Sequence, residues 1–226
     1  MSQGMLGNSD SLRRIVSGPV ADLLVKLNGP DGAAYESALN KILRREDVAW
    51  KPPLTFVKNE HGHYRLEFEG FDLTGEQEIE RLAAAGYNIG DWARSCLTSA
   101  KPDGYDAVHR LIAGQRYKVA LMPHTVIKRD SDRTTANLRK KASEFGYQQP
   151  LAGIVPRICE TVSDEEMGQM GFVYIVALHA PITDSGGNPY VLLARRGGRG
   201  RWLGASWGRP DDYWDDRGAS AFLVAS

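Results

Sequence analysis

Apolar residues recur with two different periods along the chain, and the change of period separates its parts. In the first 50 residues the period is helical, with two amphipathic segments on either side of the turn at 29–32. Residues 64–69 instead alternate apolar and polar side chains, which is typical of a half-buried strand. The pattern therefore predicts three parts: a helical N-terminal unit (1–50), a linker containing Pro52 and Pro53 (51–62) and a main domain (63–226).

Within the main domain, two helix starts carry a capping-box sequence. Thr74 is followed three residues later by Gln77, and Ser163 by Glu166. Similar patterns predict further helices and one strand, the helices near 91–97, 105–112 and 131–145 and the strand over 117–127. From residue 172 the chain has the character of strands and turns, with a Gly-rich hairpin tip at 195–201. A strand, then helices, then a run of strands indicates an α+β fold.

Composition and charge exclude little. Hydrophobic residues make up 42% of the chain and charged residues 25%, with a net charge of zero, so total charge does not indicate a nucleic-acid or membrane partner. Only Cys96 and Cys159 are present, which excludes a disulfide framework and favours two core cysteines. No signal-like or membrane-spanning run of apolar residues occurs, so we expect a cytoplasmic location by default. The two N-terminal helices are short, and we expect them to pack on the main domain or to mediate oligomer formation.

The last 37 residues use a restricted set of residue types. They contain no Lys, Glu, Gln or Met, although the first 189 residues contain 9, 12, 6 and 5 of these. In proportion, roughly six would be expected in a segment of this length. Arg, Gly, Asp and three Trp are frequent instead, and the closing apolar run at 221–224 argues against disorder. We interpret this segment as an ordered surface with a restricted vocabulary, that is, one built from a restricted set of residue types.

Three motifs in this segment carry a resemblance to a known family. They are NPYVLLAR at 188–195, RWLGASW at 201–207 and RPDDYWDD at 209–216. Together they resemble the C-type-lectin-fold variable proteins of diversity-generating retroelements, in the formylglycine-generating-enzyme-like branch. In that family an adenine-rich template, largely of Asn codons, is copied with errors into the 3′ end of the gene. Randomising the first two bases of such codons cannot produce Lys, Glu, Gln, Met or Trp, and the first four of these are absent here.

The resemblance implies a fold and a function. The fold is a C-type-lectin-like domain in which the first strand (64–71) pairs with the last (220–225), while 87–130 form an insertion. The function is binding of a protein or other macromolecule without catalysis, since the paired cysteines of the formylglycine-generating enzymes are missing from the C-terminal part. No cofactor and no metal are implied. The variable region would span about 190–220, with a framework of large aromatic residues, namely Trp202, Trp207, Trp214 and Phe222.

Strand alternation and residue type suggest which side chains line the binding face. We predict nine ligand-binding residues: Leu193, Arg196, Gly198, Gly204, Ser206, Arg209, Tyr213, Asp215 and Arg217.

Other chemistries are weaker alternatives. A nucleic-acid-binding module could use the Arg/Gly-rich hairpin at 195–201 and a helix-turn-helix-like segment at 78–97, although the latter offers only Arg94 as a basic residue on its second helix. A serine hydrolase could use Ser206 in the sequence GASWG, but no His follows His179. His61 and His63, or the aspartates at 211–216, could in principle bind a metal, yet neither set has a complete ligand spacing.

Overall fold

The computed structural model describes residues 19–43, 56–184, 186–197 and 200–224. The chain divides into two compact units, Met1–Thr55 and Phe56–Ser226. In the first unit, helices α1 (Pro19–Leu27) and α2 (Gly32–Leu43) contact each other across a short turn, as the helical period predicts. No helix in the described parts of either unit combines the length and apolar character that a membrane crossing requires.

The second unit contains one large mixed sheet with helices around it. Its described α-helices are α3 (Gly75–Ala84), α4 (Asp91–Leu97), α5 (Tyr105–Val108), α6 (Thr135–Glu144), α7 (Ile154–Thr161) and α8 (Asp164–Gln169). Its described strands are β1 (Tyr64–Glu69), β2 (Asn88–Ile89), β3 (Arg116–Pro123), β4 (Tyr147–Gln148), β5 (Tyr174–Ala177), β6 (Ile182–Thr183), β7 (Pro189–Gly197), β8 (Gly200–Trp207) and β9 (Gly218–Val224). The predicted α+β class is therefore confirmed.

The strands follow the order β1-β3-β9-β5-β7-β8-β2, with β4 also beside β9 and β6 beside β7. Two neighbouring pairs, β5 with β9 and β2 with β8, are parallel, and the others are antiparallel. The predicted C-terminal hairpin is present, and it pairs Tyr190 with Trp207 at its base and Gly197 with Gly200 near its tip.

The expected pairing of the first strand with the last is wrong. Strand β3 lies between β1 and β9 and pairs with both. The burial of the two strands explains this order: in β1 only Leu66 is buried, which suits an edge strand, whereas β3 carries the continuous buried run 119–122. The predicted insertion at 87–130 therefore supplies a central strand of the sheet. It also supplies β2 at the other edge.

Both predicted capping boxes are present. Thr74 Oγ1 accepts a hydrogen bond from the Gln77 main-chain N–H, and the Gln77 side chain accepts one from the Thr74 N–H. Ser163 and Glu166 make the same reciprocal pair at the start of α8. These pairs satisfy main-chain N–H groups that a helix start otherwise leaves without partners.

Two other expectations need correction. The segment at 78–97 is not a helix-turn-helix, because strand β2 lies between α3 and α4 and pairs with β8. The strand predicted over 117–127 ends at Pro123, and a short 3₁₀ turn follows.

The C-terminal strands belong to a core that α6 covers on one face. Leu138 and Ala142 of α6 pack with Met122, Val176 and Phe222 of the sheet. Trp214, which lies in the loop between β8 and β9, joins the same cluster. Helix α6 and this tryptophan thus pack on the sheet face that carries Val191 and Leu193 of β7.

Candidate functional site

Two adjacent cavities open on the β7–β8 hairpin. Their volumes are about 480 and 450 Å³, and Leu193, Arg195 and Ser206 line both of them. The first also contacts α4 and the middle of β8 through Trp92, Trp202 and Gly204. The second also contacts β5 and the loop after β8 through Tyr174, Arg196, Tyr213, Asp215 and Arg217. Because they share three residues, we treat them together as the β7–β8 cleft.

The register of the hairpin brings these side chains to one face. Leu193 lies opposite Gly204, and Arg195 lies opposite Trp202. Directly paired residues of antiparallel strands project to the same side, so the four form a continuous surface. Gly204 leaves space over Leu193, since a Cβ atom there would lie 3.1 Å from Leu193 Cδ1. The absence of a side chain at Gly204 therefore helps to form the cleft.

Aromatic rings surround the cleft. Trp92 and Tyr213 are each 54% exposed, which is high for such large side chains. Trp92 stacks on Tyr190 with ring centroids 5.5 Å apart, and Tyr190 stacks on Trp207 at 4.9 Å. The Arg209 guanidinium lies 4.5 Å from the Trp207 ring centroid, at the end of this row of stacked rings. Exposed rings held by neighbouring rings are suited to contact a ligand with little loss of side-chain entropy.

The charges in the cleft are unevenly compensated. Arg217 forms two hydrogen bonds to the Asp215 carboxylate, at 2.7 and 3.1 Å. Burial opposes ionisation of Asp215, but the bonds from Arg217 outweigh it and lower the pKa of the Asp215 carboxyl. Arg195 lies 5.4 Å from the Trp202 ring centroid, and within the described ranges no carboxylate comes within ion-pair distance of Arg195 or Arg196. The cleft therefore presents one uncompensated cation, Arg195, whereas the Arg196 guanidinium lies against Gly168 of α8.

The loop at 209–217 is attached to the start of α6 mainly through main-chain atoms. The N–H groups of Thr135 and Ala136 donate to the carbonyl oxygens of Asp212 and Pro210, at 3.0 and 2.9 Å. The Trp214 N–H donates to the Arg133 carbonyl oxygen at 2.9 Å. The first N–H groups of a helix lack partners within the helix, so the loop supplies the acceptors they need. These bonds do not depend on the side chains at 210 and 212.

A buried histidine holds the other end of this loop. His124 is fully buried, its Nδ1 lies 3.0 Å from the Asp215 carbonyl oxygen, and its Nε2 lies 2.9 Å from Ser220 Oγ. Burial lowers the pKa of His124 to about 4, so the ring is neutral near pH 7. The neutral ring then donates from Nδ1 to the carbonyl and accepts the Ser220 hydroxyl at Nε2. Tyr174 lies beside it, and burial, with the nearby Asp215 charge, raises the pKa of the Tyr174 phenol.

Seven of the nine predicted site residues line the β7–β8 cleft. They are Leu193, Arg196, Gly204, Ser206, Tyr213, Asp215 and Arg217. Arg209 lies instead over Trp207, and Gly198 falls outside the described residues. Arg195 was not predicted, although strand alternation places it on the same face as Leu193. Trp92 could not have been found in this way, because it reaches the cleft from α4.

The expected framework aromatics differ in burial. Trp214 and Phe222 are 5% and 2% exposed, as a framework role requires. Trp202 and Trp207 are only partly buried, and Trp202 lines the cleft. Trp202 therefore contacts both the framework and the space that a ligand would fill.

The residues that the sequence offers for hydrolase or metal chemistry are not arranged, within the described parts of the chain, as such sites require. Ser206 lies within β8 and is followed by a loop, which is not the strand–turn–helix of a nucleophile elbow. In the described chain no His or carboxylate lies within hydrogen-bond distance of its hydroxyl, and no three residues of His, Cys, Asp or Glu are grouped to hold a metal ion. His63 is buried and bonds to the Tyr147 hydroxyl at 2.8 Å. Cys96 and Cys159 are both buried, and burial raises the pKa of the Cys96 thiol to about 12.

A scan against protein-family models found no match to the chain, and searches of curated proteins and of solved structures found no significant match either.

Proposed function

We propose that the chain is a ligand-binding protein whose C-terminal face is diversified by a retroelement and binds a macromolecular target without catalysis. The second unit would then be a C-type-lectin-like domain in which β3 separates the first and last strands. The observation that carries the proposal is that the segment with the restricted vocabulary forms most of the β7–β8 cleft. Two further features support it.

The first is that the restriction affects solvent-facing positions. Ten described residues between 190 and 224 are exposed, and none of them is Lys, Glu or Gln: Arg195, Arg196, Gly197, Gly200, Arg209, Pro210, Asp211, Tyr213, Asp216 and Arg217. Exposed positions around β1 and α3 hold these types freely, as at Glu67, Glu69, Glu76, Gln77 and Glu80. Lys, Glu and Gln are common on protein surfaces, so burial does not explain their absence from the tail.

The second is the way the loop at 209–217 is held. Its main-chain carbonyl oxygens accept two hydrogen bonds from α6, and its one buried large side chain, Trp214, donates a third to Thr135 Oγ1. The Asp212 and Asp215 carboxylates also accept main-chain N–H bonds within the loop, so the sequence is freest to vary at the exposed positions Asp211, Tyr213 and Asp216. Such an arrangement suits a binding face that must accept many sequences.

The test is a comparison of DNA sequences at the locus. We expect a near-repeat of the codons for 190–220 beside a reverse-transcriptase gene, with differences only opposite adenines. The differing codons should include exposed cleft positions such as Arg195 and Tyr213, and should spare Trp214 and Phe222. A locus without such a repeat, or with differences spread equally over buried codons, would contradict the proposal.

A nucleic-acid-binding module that uses the Arg/Gly-rich hairpin at 195–201 is the second candidate. Arg195 and Arg196 on this hairpin, neither of which has a carboxylate within ion-pair distance among the described residues, favour it. Binding of unrelated DNA or RNA, measured over a range of salt concentrations, distinguishes it. Phosphate contacts would give an affinity that falls steeply with salt. The absence of binding at low salt would remove this candidate.

A further inference from the structure

The β7–β8 cleft contains a guanidinium group, that of Arg195, without a carboxylate partner among the described residues. Three arginines and two aspartates line it, and the bidentate pair of Arg217 with Asp215 compensates one of each. Asp91, at the start of α4, lines only the first cavity. Arg195 lines both cavities and has no carboxylate within ion-pair distance in the structure as described. Arg196 lines the second cavity, but its guanidinium lies against Gly168 of α8, where a Cβ atom would come within 2.5 Å of Nη1.

Apolar and aromatic surface lies directly beside these cations. Leu193 is 8% exposed at the floor of the cleft, and Trp202 is partly exposed beneath the Arg195 guanidinium. Stacking on an indole holds the planar guanidinium in one orientation while its N–H groups still point outward. Arg195 is thus held in a geometry suited to a bidentate bond with a planar anion, next to a surface that favours an apolar group.

We infer that the cleft binds an acidic protein segment, with a carboxylate on Arg195 and an aromatic or aliphatic side chain over Leu193. This inference rests on the proposed function and adds the class of partner. Arg at the centre of an interface, beside aromatic residues, is a frequent source of binding free energy between proteins. The restricted vocabulary includes Arg and Tyr, the residue types needed here.

A nucleic acid fits the same surface less well. Its phosphates repeat along the strand, so a binding groove needs a series of cations with few acidic side chains between them. Here Asp91 and Asp215 lie in the cleft itself, and the chain as a whole has a net charge of zero. A single carboxylate with a neighbouring apolar side chain matches one unpaired arginine and a leucine floor more closely.

The inference can be tested on the full chain with three fluorescent probes. These are a random copolymer of Glu and Tyr, a random copolymer of Glu and Ala, and a thymidine-only single-stranded oligonucleotide of comparable charge. We expect the Glu–Tyr copolymer to bind most tightly, because only it offers both carboxylates and rings. If the oligonucleotide binds as tightly as the Glu–Tyr copolymer or more tightly, with the same dependence on Arg195, the inference is overturned and the nucleic-acid-binding module is favoured.

Matched variants separate the site from general charge. Arg195→Gln should weaken binding of the Glu–Tyr copolymer by about tenfold, the loss expected for one charge-assisted contact. Arg116→Gln removes the same charge from an exposed position on β3, which β9 and β5 separate from β7 in the sheet, and should change the affinity by less than about twofold. Both residues are exposed, so thermal unfolding should be nearly unchanged. Equal losses in the two variants, or no binding of either copolymer at low salt, would refute the site.

The two proposals fail in different ways. A locus without a template repeat would refute diversification, whereas the copolymer measurements would still decide whether the cleft accepts an acidic segment. A template repeat together with copolymers that do not bind would refute the acidic partner alone.

Discussion

Replacing Thr135 with valine tests whether the framework holds the loop that borders the cleft. The Trp214 indole N–H donates to Thr135 Oγ1 at 2.8 Å, and the two residues are 5% and 0% exposed. Valine keeps the shape of threonine but removes the acceptor, which leaves a buried N–H group without a partner. Such a loss costs about 1–3 kcal/mol. In a unit of this size each kcal/mol lowers Tm by about 2–4 °C.

Urea and thermal denaturation of Thr135→Val measure this cost. Thr98→Val is a matched control, since its hydroxyl bonds to the Arg94 carbonyl oxygen at an exposed position, and it should change the stability by less than about 0.5 kcal/mol. A Thr135→Val variant as stable as the parent would show that the indole N–H does not hold the loop.

A double-mutant cycle separates this bond from the packing around it. Trp214→Phe removes the N–H group, so Thr135→Val should cost about 1 kcal/mol less in that background than in the parent chain. Trp214→Phe itself should be destabilising, because the smaller ring leaves part of a buried space empty. An equal cost of Thr135→Val in both backgrounds would refute the hydrogen bond as the source of the effect.

Three further changes test the core and the cleft. Burial lowers the pKa of His124 to about 4 and that of His179 to about 3, against about 6.5 in the unfolded chain. The unfolded state therefore binds more protons below about pH 6.5. Each histidine should reduce the free energy of unfolding by up to about 1.4 kcal/mol per pH unit as the pH falls towards 4. A free energy of unfolding, measured with urea, that stays constant between pH 7 and 5 would contradict this. Gly204→Phe should fill the cleft and abolish binding of the Glu–Tyr copolymer while the chain still folds, and retained binding would place the site elsewhere. Gly218→Ala should destabilise by about 1–3 kcal/mol, because the new Cβ would lie 2.3 Å from the Tyr174 ring, and Tyr174→Leu should partly restore the lost stability in a denaturation assay.

Local signals in the sequence were reliable where the determining residues are close together. The capping boxes at Thr74 and Ser163 and the hairpin with its Gly-rich tip each depend on a few neighbouring residues, and the structure contains all three. Helix α7 was not predicted. It has Pro156 as its third residue, a position where proline is still tolerated because the first N–H groups of a helix lack internal partners.

Long-range pairing could not be predicted in the same way. Strand β3 and not β1 lies beside the last strand, because β3 is the strand that is buried on both faces. The apolar run in β3 indicates burial, but it does not indicate with which strands β3 pairs. The bonds from Thr135 and Ala136 to the loop at 209–217 leave no trace in residue type, since they join main-chain atoms that every residue has. The cleft itself was predicted only as a set of outward positions, and Trp92 of α4 could not be placed there from spacing.

Leu193 is the position at which burial and proposed variability conflict. It lines both cavities, yet it is 8% exposed and packs in the core cluster with Val191 and Trp214. Truncating a buried leucine typically costs about 2–5 kcal/mol, which is a large part of the stability of a domain. Ser206 lies on the same face and is only partly buried, so its side chain can change at little cost. If the face is diversified, the codon of Leu193 should therefore differ from its template only towards other apolar residues, whereas that of Ser206 should vary widely. Polar substitutions that are equally frequent at both positions, in variants that fold equally well, would show that the cleft does not depend on the packing of Leu193 in this core.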